Sequence, residues 1–148
     1  MGNTVTWLLI ADASKARLYS MHKARFLLDK HSKNLNLIGQ FTHDASRMKG
    51  IDLVSDRMGT FGNGSFEETT LPKVHEAEQF ALELLGHLKS ARVENSYRDI
   101  IIVAPPSFMG LLHKHMPHEV DKLVVKRIEK DYTQYNGEEL AQNLINHL

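Results

Sequence analysis

Asp12, Ser14, Arg17, Asp56, Arg57, His75 and Glu76 are the residues whose types could do chemistry together in this chain. Asp12 closes an apolar run, and Ser14 and Arg17 stand at the start of the next β-rich stretch. His75-Glu76 opens a helical pattern. Loops at one edge of an open α/β sheet are where sites collect, so these seven residues are expected to form one functional surface. Arg57 would fold back to pair with Asp12 or Glu76. A hydrolase would draw on Asp12, Arg17, Arg57 and His75. The bland alternative is a set of surface pairs that order a loop, each contributing about 0–1 kcal/mol.

More specific chemistries fail on spacing. A two-metal nuclease needs carboxylates from the first strand, the first helix and the next strand. Asp12 and Glu76 or Glu78 could supply the first two, but residues 100–104 supply none, and Asp99 lies at the wrong end. A helical zinc site needs a second histidine one turn after His75, where Gln79 stands. First-turn Glu76 and Glu78 more simply complement the helix dipole. His113 and His115 point to different sides of a helix, and Pro117 intervenes before His118. The glycine-rich stretch 59–65 has no lysine beside a helix start to cradle a phosphate. Ser14, Ser65 and Ser107 each stand beside turns, where serine is common anyway. No catalytic, metal or cofactor-binding residue is assigned, and no cofactor is expected.

Charge is locally uneven. Lys23, Arg25 and Lys30 crowd one segment, and Lys122, Lys126 and Arg127 another. As neighbours they would make an anion-binding patch suited to an RNA backbone. Otherwise such lysines keep hairpin tips and edge strands from pairing with other chains. The whole chain balances 18 basic against 18 acidic residues, so it exerts no net pull on polyanions near neutral pH. Nine histidines would turn it into a polycation on acidification.

These residues must be positioned by a single domain, 1–148, since 148 residues match one domain's usual size. Hydrophobic residues at 42% and charged residues at 24% give a globular balance. The absence of cysteine excludes disulfides and thiolate sites, and fits a reducing compartment. Its longest apolar runs fall far short of the ~18 residues of a membrane span. The first residues lack the basic region and apolar core of a signal peptide. A cytoplasmic protein without membrane contact is the expectation.

Residues 4–10 and 16–21 read as strands, and 26–29 and 35–41 as two more, with Leu35, Leu37, Gly39 and Phe41 sharing a face. From 43 to 73 no period holds, which predicts a long loop. Ala77, Phe80, Ala81, Leu84, Leu85, Leu88 and Ala91 then form one helical stripe over 74–93, with Pro72 just before its start. Residues 98–104 are apolar throughout, as in a strand covered on both faces. A short helix over 107–115, a strand over 122–130 and a last helix from Asn136 complete the order, with Asn136 and Glu139 as a reciprocal cap. The fold class is α/β, a mixed-sheet sandwich with a meander followed by βα units, in ribonuclease-H-like order. Its core should include Trp7, Ile10, Phe80, Leu84, Ile101 and Val103.

Several stretches together resemble a bacterial family of host attachment proteins, proteins required for attachment to host cells. They are Ala11-Asp-Ala-Ser-Lys-Ala-Arg17-Leu-Tyr19, Asp52-Leu-Val-Ser-Asp-Arg57-Met-Gly59, Lys73-Val-His-Glu-Ala-Glu-Gln-Phe-Ala81, Val103-Ala-Pro-Pro-Ser-Phe-Met-Gly-Leu-Leu112 and Lys130-Asp-Tyr-Thr133. The chain is also distantly similar to the middle domain of archaeal and eukaryotic class-one peptide-chain release factors. There a long loop before a helix presents Gly-Gly-Gln. This chain has Gly62-Asn-Gly64-Ser65 instead, and Gln79 falls inside the helix, so no catalytic glutamine is carried over. The resemblance implies a non-catalytic binding domain for a ribosomal, tRNA-like or protein partner. The alternatives are an adaptor in host attachment or virulence, and the hydrolase above.

Overall fold

Thr6–Ala11 is uninterrupted by charge, and a strand buried on both sides accepts such a sequence. It forms β1, the centre of a five-stranded sheet. The computed structural model describes residues 4–43 and 65–148, of 65–73 the backbone alone. Asp56, Arg57 and the glycines at 59, 62 and 64 lie outside the described residues.

Lys15–Met21 (β2) pairs antiparallel with β1, and Asn36–Thr42 (β3) pairs antiparallel with β2. Asp99–Val103 (β4) runs parallel to β1, and Val124–Ile128 (β5) parallel to β4. The sheet order is β3-β2-β1-β4-β5. Lys23–Asp29 (α1) and a 3₁₀ turn at Ser32–Asn34 separate β2 from β3. Ser65–Val93 (α2) precedes β4, Pro106–His115 (α3) and His118–Asp121 (α4) lie between β4 and β5, and Gly137–Ile145 (α5) follows.

Alternation along the strands divides the core in two. Leu9, Leu18, Ile100 and Ile102 meet Phe80, Leu84, Leu88 and Phe108 on one face. Leu8, Ile10, Tyr19, Ile101 and Val103 meet Phe26, Leu140 and Leu144 on the other. The core residues named from sequence are buried except Trp7, which is half-buried and packs its ring 4.8 Å from that of Tyr97.

Four local expectations are corrected. Residues 26–29 belong to helix α1, not a strand; a strand would bury alternate residues, whereas here only Phe26 is buried and Leu28 is 81% exposed. The expected loop 43–73 ends early, because α2 begins at Ser65. Pro72 therefore sits inside the helix, where it removes one backbone bond but does not have to end a helix anchored by its long buried stripe. The strand expected at 35–41 does not keep one face: a bulge opposite Leu18/Tyr19 skips Ile38. Gly39 and Phe41 thus lie with Leu18 and Ala16, whereas Leu37 pairs with Tyr19, whose side chain lies on the opposite face. Finally, Asn136 occupies the first cap of α5 without a capping side-chain bond. Gly137 follows with φ +54, a conformation that favours glycine.

Candidate functional site

The parallel strands β1, β4 and β5 all end on one edge of the sheet, so the residues after them are neighbours in space. Asp12 follows β1 and must reverse the chain into β2 within three residues. Its Oδ1 accepts the backbone N–H groups of Ser14 and Lys15, each at 2.9 Å, and lies 3.3 Å from the Ser14 hydroxyl. Asp12 is therefore the carboxylate that builds this turn. Its Oδ2 lies 3.4 Å from the Thr133 hydroxyl, which is also 2.5 Å from Asp131 Oδ1.

Arg17 stands opposite Ile10 in the β1–β2 register and points under the segment after β5. Its Nη1 donates to the Tyr19 hydroxyl at 2.7 Å and to Asn136 Oδ1 at 2.8 Å. Its Nη2 donates to the carbonyls of Tyr132, Thr133 and Tyr135 at 3.3, 3.1 and 2.7 Å. The Asn136 side chain is thus drawn to Arg17 and away from capping α5. No carboxylate among the described residues pairs with this guanidinium, so its charge is met by dipoles alone. Lys15, Arg17, Gln40, Thr42, Thr133 and Asn136 surround a cleft of about 250 Å³ here, with Ile10 at its floor.

Glu76 reaches the same edge from α2. It lies one turn before Phe80 on the buried stripe and is only 5% exposed. His43, just past β3, sets Nε2 2.5 Å from Glu76 Oε2 and Nδ1 3.8 Å from Glu83 Oε1. The His43 backbone N–H donates to the Ser14 carbonyl at 2.9 Å, which ties the pair to the Asp12 turn. Its ring packs 5.6 Å from that of Phe80. His43 was missed by sequence reasoning. The available signal was Glu76 itself, a carboxylate beside a core stripe that must find a partner.

Of the seven residues singled out from sequence, Asp12, Ser14, Arg17 and Glu76 are joined through Thr133 and His43. His75 is not joined to them: it is exposed and contacts Gln79 at 3.0 Å. Asp56 and Arg57 lie outside the described residues. The two basic segments are not bonded to each other among the described residues. Arg127 pairs with Asp121, and Lys126 donates to the His147 carbonyl from the opposite face of β5. Lys23 is half-buried, and Arg25, Lys30 and Lys122 are exposed. Elsewhere Glu78 joins α2 to α3 by accepting from His115 at 2.5 Å and Lys114 at 3.0 Å. Those bonds, His115 first, hold its carboxyl below the usual range. Among the described residues no group of three or more His, Asp or Glu side chains could hold a metal ion. None of their helices is long and apolar enough to cross a membrane.

The molecule is thus a mixed α/β protein with a cleft under the segment after β5. It belongs to the family described as protein required for attachment to host cells, whose model matches residues 7–144. It is also similar to an uncharacterized protein, RP470, of Rickettsia prowazekii (strain Madrid E), with 32% identity over 73 residues. That match covers 48% of this chain and 49% of the relative, so the chain spans about half the length of the curated relative it matches.

Proposed function

We propose that this host-attachment family chain is a non-catalytic binding domain whose partner is an RNA of the ribosomal or tRNA type, engaged in the cytoplasm. The observation that carries this reading is the Arg17 fork. It ties residues 132–135 to strand β2 beside a cleft whose described walls carry Lys15 and Arg17 and no carboxylate. The groups that could do chemistry are engaged in holding this edge: Asp12 builds a turn, Arg17 spends both terminal nitrogens on protein acceptors, and Glu76 holds His43. Groups held this way give the edge a fixed shape for a partner to meet.

We read the mixed sheet, with its order β3-β2-β1-β4-β5, as of ribonuclease-H-like or release-factor middle-domain type, a reading that supports an RNA partner by analogy of fold. The lack of cysteine is consistent with a reducing cytoplasm. The test is sedimentation of the tagged protein from its own cells, with and without ribonuclease. Co-migration with ribosomal or tRNA fractions that ribonuclease abolishes is expected; recovery only as free protein would overturn the reading.

A second reading, an adaptor working through protein contacts in attachment, is favoured by strand β3. That edge carries no charged residue, and Leu37 and Ile38 are each 47% exposed. Unprotected edges pair readily with another strand. A protein partner recovered equally well after ribonuclease treatment would favour it.

A further inference from the structure

We infer that the cleft beneath residues 133–136 is a phosphate-binding site, with Lys15 and Arg17 as its cationic residues. The inference rests on the reading of this edge as a binding surface and names the chemistry it recognises. Strand register places the contributors. Lys15 pairs with Thr42 and Arg17 with Gln40 across β2 and β3, so these four side chains rise from one face of the sheet. Thr133 and Asn136 close the cleft from above, and its volume of about 250 Å³ is large enough for a phosphate group with part of what carries it.

The balance of charge is one-sided. Of the six polar wall residues among those described, two are cations and none is an acid. Arg17 is half-buried, and its five acceptors are hydroxyl, amide and carbonyl oxygens, which offset its charge without neutralising it. Its Nε–H, the Lys15 ammonium, the Gln40 and Asn136 amide N–H groups and the Thr42 hydroxyl have no acceptor among the described residues. Two carboxylates stand behind Thr133, and both are engaged: Asp131 Oδ1 accepts the Thr133 backbone N–H at 2.9 Å and lies 2.5 Å from its hydroxyl, and Asp12 accepts the Ser14 and Lys15 backbone N–H groups with its Oδ2 3.4 Å from the same hydroxyl. Donors of this kind around a concave surface match the several acceptor oxygens of a phosphate, and charge-assisted bonds to it are about twice as strong as neutral ones. A ligand without acceptor oxygens would leave these donors unmet.

Phosphate chemistry can come from a free phosphate or from an RNA backbone. Amide NMR titrations of the whole chain with inorganic phosphate, and separately with a short single-stranded RNA, distinguish the sources. Saturable shifts centred on Lys15, Thr42 and Thr133 are expected with at least one probe. Lys15→Gln should weaken that binding roughly tenfold, as for one charge-assisted contact, while Lys15→Arg retains it. Lys15 is exposed and makes no side-chain bond, so its variants keep the fold, which the unshifted remainder of the spectrum verifies.

Cleft shifts with inorganic phosphate alone identify a small-molecule site; they sustain the inference and tell against an RNA partner. RNA binding that shifts other surfaces and ignores Lys15→Gln overturns the inference and leaves the RNA reading standing. Absence of saturable shifts with millimolar phosphate and with RNA overturns it outright.

Discussion

Two histidine–glutamate pairs hang from helix α2 two residues apart, each with 2.5 Å between nitrogen and oxygen. In the first, His43 and Glu76 side chains are 12% and 7% exposed; in the second, His115 and Glu78 are 26% and 25% exposed. The first pins the end of β3 against Phe80 and, through the His43 backbone, the Asp12 turn. The second fastens α3 to α2 beside an exposed lysine. Distance alone does not rank them. Water screens the second pair, whereas the first is held in a medium where losing a partner is costly.

The largest effect should come from the buried pair. His43→Ala should destabilise the domain by about 3 kcal/mol in urea unfolding, and a cycle with Glu76→Gln should give a coupling of about 1–3 kcal/mol. A loss below about 1 kcal/mol would erase the contrast. The same cycle on His115 and Glu78 should give a coupling too small to measure.

Tyr97 isolates burial from ion pairing. Its buried hydroxyl donates to the Leu88 carbonyl at 2.7 Å, and burial pushes its pKa up to about 12. A raised folded pKa contributes stability present below the unfolded value near 10 and lost as pH climbs toward 12, by about 2–3 kcal/mol. Tyr97→Phe should remove that alkaline decline and cost about 1 kcal/mol at neutral pH for the lost bond. Urea midpoints between pH 9 and 12 measure both; an unchanged alkaline slope would show that Tyr97 does not carry it.

Smaller still is the acid response of Glu78. Its folded pKa lies below the ordinary carboxylate value, so its contribution is present above that value and disappears as pH falls through the folded one. Glu78→Gln should flatten the acid limb of the stability profile slightly and lower the neutral-pH plateau by the same small amount. Salt gives the finest test. Raising it should leave the His43–Glu76 coupling in place, because that pair is shielded from the screening solvent; a coupling that falls away with salt would show the pair to be solvated.

Sequence by itself determined the elements whose period is set by burial. Phe80, Leu84 and Leu88 mark one face of α2, and the unbroken run at 100–104 marks a strand covered on both sides; both patterns persist because each residue's neighbours in sequence repeat its environment. The turn at Asp12 was equally legible, since an aspartate bonding the N–H groups just after it is a local event. Only the tertiary structure decided the rest. The single buried residue of α1 and the bulge at Ile38 depend on what the sheet accepts, not on local pattern. Asn136 reads as a helix cap until Arg17, 119 residues away, claims its oxygen. His43 is an ordinary strand-end histidine until α2 brings Glu76 to it across 33 residues. Those bonds join groups far apart in the chain, and which donor meets which acceptor is fixed only when the sheet register and helix packing set their positions.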